Sequence, residues 1–346
     1  MDMNVCRRLY DIAETDNLII LLPSNTLYLS GYSSSNCQII ITKNHAYFLT
    51  DMRYYLEAKQ KLSDNFEVLC QDLNSSANLL EDGSIGFESD ISYRQYESLL
   101  LLSEDRRLVD ISDKIASLRD IKTIEEIKNI KSAQSVTEKA FEEALKFIKL
   151  GISEIELSAY IEYIMQKNGC EPAFDSIVAF GEHTASPHAH RSERKLKCGD
   201  LITMDIGARY NGYCSDMTRT VGYGQISERQ ADIYNNVLTA QRLALEGIKS
   251  GIKGKDGDKI ARDYFARENL DQYFTHSLGH GVGIDIHEGV GLTPREERLL
   301  EKNMIVTIEP GLYIDGEFGV RIEDMVQITE NSVNNLTNAE KKLIIL

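Results

Sequence analysis

Asp205, Asp216, His280, Glu309 and Glu323 follow one another through the last half of a 346-residue chain. They lie in MDIGARYNGYCSDMTRT (204–220), HSLGHGVGIDIHE (276–288), IEPGLY (308–313) and GVRIED (319–324). Four carboxylates and one imidazole gathered in one site repel one another unless cations sit between them. Two divalent ions can be shared by such a set, and two ions that bridge a water form a hydrolytic device. A set this rich in oxygen suits a hard ion such as Mn²⁺, with Co²⁺, Zn²⁺ or Fe²⁺ as alternatives.

The spacing says how these side chains could meet. Leu201–Tyr210 and Tyr213–Val221 flank Asn211-Gly212, a two-residue hairpin signal. In that register Gly207 faces Asp216 and Asp205 faces Thr218. Asp205 and Asp216 then share a face as diagonal neighbours, roughly 7–8 Å apart along the backbone. Asp315-Gly316 predicts a second hairpin, joining Ile305–Glu309 to Val320–Ile328. A two-residue loop there pairs Glu309 with Ile322, so Glu309 and Glu323 miss a common face by one residue. A bulge at Pro310-Gly311 is expected to restore it. Arg321 shares a face with Glu323 and is expected to orient a ligand carboxylate. Six of the seven histidines fall between 183 and 287, and His280 and His287 sit in the glycine-rich GHGVGIDIH. Taken singly, an Asp reads more readily as a surface charge, and each His reads equally as a hydrogen-bonded, partly buried group. Their clustering favours a site.

The elements that must position these groups begin near residue 120. Thr123-x-x-Glu126, Ser153-x-x-Glu156 and Ser227-x-x-Gln230 are capping boxes, each followed by apolar residues at helical spacing. Gly151 and Asn168-Gly169 mark helix ends. Residues 1–118 have another texture, with strands expected at Leu18–Leu22, Gln38–Ile41, Ala46–Leu49, Phe66–Leu69 and Ile85–Phe87. Helical spacing there runs over Met52–Leu62 and Tyr93–Leu102. The chain thus divides into an α/β domain at 1–118 and a larger domain at 119–346 that holds the chemistry. No internal repeat is evident by inspection.

Composition narrows the partners. A formal charge of -16 with no run of five basic residues argues against nucleic acid. No apolar stretch is long enough to span a bilayer, and MDMNVCRRLY has no apolar signal-peptide core. None of the six cysteines forms a C-x-x-C pair, which reads as reduced thiols. A cytoplasmic protein that contacts neither membrane nor nucleic acid is expected.

The C-terminal part resembles the pita-bread fold metallopeptidases, a group that includes aminopeptidase P, prolidase and methionine aminopeptidase. The five positions match that family's Asp, Asp, His, Glu, Glu in order and motif context, over about residues 172–324. PSNTLYLSGYSSSN (23–36) and TDMRYYLEA (50–58) resemble the Xaa-Pro branch. The resemblance implies an α/β (α+β) fold, with a small creatinase-like α/β N-terminal domain followed by a pita-bread catalytic domain of two α/β halves. It implies two metal ions. Asp205 would bind one, His280 and Glu309 would serve the other, and Asp216 and Glu323 would bridge both. Glu309 would shuttle the proton, while His188, His276 and His287 contact the substrate, with Tyr213 and Arg321 as further substrate-binding candidates. The substrates implied are proline-containing peptides with a free N-terminus, and the assembly implied is a homodimer. Where some prolidases carry an arginine for a dipeptide carboxylate, this chain has Gly291, with Arg295 nearby, which favours an aminopeptidase P over a prolidase. A creatinase-like amidinohydrolase or a non-catalytic binding protein would not be expected to keep all five ligands.

Overall fold

The computed structural model describes residues 3–346, with side chains from Val5 onward. The chain separates into two compact units, residues 1–119 and 120–346.

The first unit is built on a mixed six-stranded sheet. Its strands are β1 (Asn17–Ile20), β2 (Cys37–Thr42), β3 (Ala46–Thr50), β4 (Glu67–Cys70), β5 (Ile85–Phe87) and β6 (Leu108–Asp110), in the order β4-β3-β2-β1-β5-β6. The β1–β2 and β2–β3 pairs are antiparallel and the other three parallel. Its helices are α1 (Met3–Ala13), α2 (Pro23–Ser30), α3 (Tyr55–Leu62), α4 (Tyr93–Ser103) and α5 (Ser112–Asp120). All five expected strands are present, within two residues at each end. Helix α3 starts at Tyr55 rather than Met52. Apolar periodicity did not signal α2. It is an eight-residue helix defined by its punctuation, with Pro23 in the first turn and Gly31 at φ +69° closing the C-terminus.

The second unit opens with α6 (Ile124–Phe147) and α7 (Glu154–Lys167), then β7 (Glu171–Pro172), β8 (Ile177–Phe180), β9 (Leu201–Ile206), β10 (Ala208–Tyr210), β11 (Tyr213–Cys214) and β12 (Met217–Gly222). It continues with α8 (Glu228–Gly247), α9 (Gly254–Arg267), β13 (Ile305–Ile308), β14 (Gly311–Ile314), β15 (Phe318–Arg321), β16 (Asp324–Ile328) and β17 (Val333–Asn335). The capping boxes at Thr123, Ser153 and Ser227 all form, each satisfying two otherwise free N–H groups.

These elements contain a duplication that inspection of the sequence missed. Ile148-Lys149-Leu150-Gly151-Ile152 after α6 reappears one hundred positions later as Ile248-Lys249-Ser250-Gly251-Ile252 after α8. The hydrogen bonding repeats with it. Gly151 N–H donates to Leu196 O and Leu196 N–H to Ile152 O; Gly251 N–H donates to Leu300 O and Leu300 N–H to Ile252 O. Each half buries one face of a sheet under its helix pair. Phe141, Leu157, Ile161 and Met165 pack on Ile202, Met204, Ile206 and Met217. Val237, Ala261 and Phe265 pack with Val306, Ile308, Val320 and Val326. The alternate residues of β9, β12 and β13 must then point away from the helices, and these include Asp205, Thr218 and Thr307.

Two hairpins set the registers. The first has the expected form: Asp205 pairs with Thr218 and Tyr210 with Tyr213. Asn211 (φ +49°) and Gly212 (φ +85°) both occupy the left-handed region that a two-residue hairpin turn requires. The second departs from expectation at its tip. Ile314 pairs with Phe318, so Asp315, Gly316 and Glu317 form a three-residue loop. That extra residue moves the whole ladder by one, with Gly311 opposite Arg321 and Ile308 opposite Asp324. Glu309 then stands opposite Glu323 without any bulge at Pro310-Gly311. Pro310 instead interrupts the strand, since it has no N–H to give, and its carbonyl accepts the Ile322 N–H at 3.4 Å.

Gly316 has φ +71°, and a Cβ placed there would meet nothing within 4 Å. Gly316→Ala should therefore cost only the left-handed backbone penalty, about 1 kcal/mol. Urea denaturation reads this as a lower midpoint at constant slope; an unchanged midpoint would contradict the turn that sets the Glu309–Glu323 register.

Candidate metal centre

The five expected ligands all line one cavity of about 380 Å³, together with His188, His276, His287 and Arg321. Phe174, Ile177, Pro187 and Ile286 supply its apolar wall. Ligand atoms of Asp216, His280 and Glu323 lie within 4.8 Å of one another. His280 Nε2 is 3.5 Å from Asp216 Oδ2 and 3.4 Å from Glu309 Oε1.

Four of the five ligands, Asp205, His280, Glu309 and Glu323, are held by neighbouring side chains. Thr218 Oγ1 donates to Glu323 Oε2 at 2.7 Å, and Thr307 Oγ1 donates to Glu309 Oε1 at 3.1 Å. The Thr307 hydroxyl also accepts the His280 N–H at 3.0 Å, tying the histidine to the strand that carries Glu309. Arg321 donates from all three of its guanidinium nitrogens. Its Nη2 donates to Asp205 Oδ2 at 2.6 Å, its Nε to Thr218 Oγ1 at 3.0 Å, and its Nη1 to the Tyr313 hydroxyl at 2.8 Å. Behind the ligands, buried Arg219 donates to the carbonyls of Thr218 and Glu323 and pairs with buried Asp324 at 2.8 Å.

The proton inventory fixes what the histidines can do. His280 Nδ1 lies 3.2 Å from the Gly281 carbonyl, so it carries the proton and leaves the Nε2 lone pair facing Asp216 and Glu309. A lone pair facing two carboxylates is repulsive unless a cation lies between. Asp216 Oδ1 is buried with no hydrogen-bond partner among the described residues, a second gap that a cation would fill. The donor set therefore fits divalent metal ions. His276 differs. Its Nδ1 donates to the Ser277 carbonyl at 2.7 Å, and its Nε2 is 2.9 Å from the Tyr313 hydroxyl, which donates to it while accepting from Arg321. His276 lines the cavity with both ring nitrogens engaged, so it has no N–H aimed into it. Tyr213 is not among the cavity-lining residues. Its buried hydroxyl donates to Glu126 Oε1 at 3.1 Å.

Sequence reasoning placed Thr218 opposite Asp205 without giving it a role, and did not name Thr307 or Tyr313. The roles of Thr218 and Thr307 could have been found from period two, since they stand two residues from Asp216 and Glu309 on the same faces. Tyr313 carries no comparable signal.

Burial raises the carboxyls of Asp216 and Glu323, and the neighbouring carboxylates raise them further against the opposing Arg321 charge. Burial pushes Glu309 up from 4.5 to about 8. Burial also lowers His280 and His287, and lowers His276 from 6.5 to about 4. A carboxyl raised in the fold keeps a proton that the unfolded chain has lost. Its effect on stability declines as pH climbs from the unfolded value to the folded one. The lowered histidines act with the opposite sign, and only below about 6.5. Between about pH 6.5 and 8 the carboxyls decide. The metal-stripped protein should therefore melt at progressively lower temperature across that window, and Glu309→Gln should lessen the decline. A flat or rising melting temperature would contradict a cluster of carboxyls held above their ordinary range.

Comparison with known proteins agrees with this geometry. Residues 128–330 match metallopeptidase family M24, and residues 5–121 match the creatinase/prolidase N-terminal domain. An Xaa-Pro dipeptidase of Pyrococcus furiosus is 39% identical over 95% of each chain. The solved structure of an Xaa-Pro dipeptidase from Bacillus anthracis superposes with TM-score 0.94 at 38% identity over 99% of both chains. An X-Pro aminopeptidase from Thermotoga maritima MSB8 superposes with TM-score 0.93 at 34% identity, over 100% of this chain and 99% of that one. The creatinase-like and pita-bread architecture expected from the resemblance is borne out. With both domain patterns matched in order, and relatives aligned over nearly its whole length, the chain belongs to metallopeptidase family M24 and is a metallopeptidase.

Proposed function

We propose that this chain is a dinuclear metal-dependent Xaa-Pro peptidase that removes an N-terminal residue preceding proline. The single observation that carries the reading is the buried Asp216 carboxylate, with an oxygen lacking any partner among the described residues, facing Glu323 and the unprotonated Nε2 of His280. Asp205, Asp216, His280, Glu309 and Glu323 would hold two divalent ions, Mn²⁺ before Co²⁺, Zn²⁺ or Fe²⁺. The ions would supply Lewis acidity and lower the pKa of water near neutral pH.

The rest is the work of side chains. Glu309 takes a proton and passes it towards the leaving nitrogen, a role suited to a carboxyl raised to about 8. His188 and His287 face the cavity and hold the peptide. His276 orients Tyr313 and, through it, Arg321. The substrate logic is physical: a bond before proline has no N–H for a general peptidase to grip.

The aminopeptidase P type is favoured by what the cavity lacks. Arg321 is the one Lys or Arg in its lining, and its guanidinium is bonded to Asp205, Thr218 and Tyr313. Gly291 carries no charge, and Arg295 is exposed and outside the lining. A dipeptide's carboxylate would find no free guanidinium there, whereas a longer peptide has no carboxylate at that point. The second reading is a prolidase, favoured by the Xaa-Pro dipeptidase names of relatives at 38–39% identity. The reading also includes a homodimer and a cytoplasmic setting; the latter is consistent with six cysteines outside any disulfide and, among the described residues, no helix long and apolar enough to cross a membrane.

Metal-stripped protein should cleave Ala-Pro-Ala well above Ala-Pro, and only after Mn²⁺ is added. Preference for Ala-Pro would transfer the reading to prolidase, and no turnover of either would defeat both. Glu309→Ala should lose more than about a thousandfold in turnover while staying folded, and near-normal activity would refute the site. Cys198→Ser should leave turnover intact.

A further inference from the structure

His287 reaches the cavity from a segment, residues 281–290, that contains no helix or strand. Its order comes from the next residue. The Glu288 side chain is only 8% exposed. Its Oε2 accepts the Asp285 N–H at 3.0 Å, and its own N–H donates to Gly281 O at 3.0 Å. Its carboxylate lies so close over Gly283 that a Cβ there would come within 2.0 Å of Oε1. The loop is wound around one buried carboxylate.

The countercharge comes from far away in sequence. Lys122 Nζ stands 3.0 Å from Glu288 Oε1, on a side chain only 2% exposed. Lys122 is itself anchored, its N–H donating to Asn303 O at 3.1 Å. Two residues earlier, Asp120 accepts the Val290 N–H and packs against Gly289, where φ is +64° and a Cβ would come within 1.8 Å of Asp120 Oδ1. Residues 120–122 thus grip the loop at Glu288, Gly289 and Val290, immediately after His287. A buried ion pair is poor evidence of added stability, but breaking one strands a charge that the surroundings must move to accommodate. His287 directly precedes Glu288 in the chain.

We propose that the Lys122–Glu288 pair is a positioning device for His287, and that through His287 it sets how the peptide is held in the reaction proposed above, on which this inference rests. Lys122 touches neither the cavity nor a ligand. Its effect must pass through the loop.

A double-mutant cycle separates this from a general structural role. Lys122→Met should lower kcat/KM for the better of the two peptides by roughly ten- to a hundredfold, the scale of a misplaced contact group. Lys122→Arg should restore most of it. In a His287→Ala background, Lys122→Met should change kcat/KM by less than about twofold, because the residue it acts through is gone. Equal losses in both backgrounds would overturn the proposal. A second readout needs no activity. In metal-free protein with labelled histidines, the His287 ring resonance, assigned by its loss in His287→Ala, should move in Lys122→Met while that of His188 stays. A folded Lys122→Met protein with an unmoved His287 resonance would overturn the proposal. If wild-type protein cleaves neither peptide, the peptidase reading falls while the resonance still decides the positioning. Should Lys122→Met not fold, Glu288→Gln, which keeps an acceptor for the Asp285 N–H, serves the same measurements.

Discussion

The structure depends on holding four carboxylates together out of water. Asp205, Asp216, Glu309 and Glu323 line one cavity, and Arg321 is the one Lys or Arg side chain among its walls. Its guanidinium is committed to Asp205. One positive charge cannot balance four negative ones, and burial makes the imbalance worse. Without cations the carboxyls hold protons instead, which is the meaning of the raised values at Asp216, Glu309 and Glu323. Cation binding and loss of those protons are therefore one event. The surrounding hydrogen bonds all serve this constraint. Thr218, Thr307 and Arg321 donate to the carboxylates, and buried Arg219 ties together the backbones of Thr218 and Glu323 behind them.

Much of this was legible because hairpins convert spacing into geometry. Asn211-Gly212 can take a left-handed conformation at both central positions, so the Asp205–Thr218 register followed by counting. Asp315-Gly316 was less determinate. Only Gly316 has a positive φ, and Glu317 joins the loop, so counting from a two-residue turn placed every partner one position out. The expected bulge at Pro310 repaired an offset that the loop had already removed. A one-residue error at a turn changes the face of every downstream side chain, which is why a hairpin tip matters more than the strand it closes.

Other parts were hidden for different reasons. The duplication of the α6–α7 and α8–α9 pairs survives in the linker, Ile-Lys-x-Gly-Ile, and in buried alanines such as Ala140 and Ala240, while the exposed faces have diverged. The role of His276 could not be read from type or spacing. It depends on where Tyr313 sits thirty-seven positions later, and that is a property of the folded strand. Lys122 carries no signal in the sequence beyond its place before the Thr123 capping box. Only the fold brings it to Glu288.

The two hairpins solve the same problem with different side chains, and the registers explain the choice. Asp205 and Asp216 belong to neighbouring cross-strand pairs, so they stand diagonally, roughly 7–8 Å apart at the backbone. Glu309 and Glu323 occupy directly opposed positions, where Cβ atoms stand roughly 4.5–5.5 Å apart. Short side chains on a diagonal point inward with little freedom. Long side chains directly opposite would collide if both went straight across, and must bend to opposite sides of a shared centre. The observed hydrogen bonds supply those bends: Thr218 draws Glu323 towards the first hairpin, while Thr307 holds Glu309 on the second, beside His280. Exchanging Asp and Glu at these positions preserves every charge yet breaks the match between side-chain length and register. Ligand chemistry and strand register are thus a single constraint in this protein.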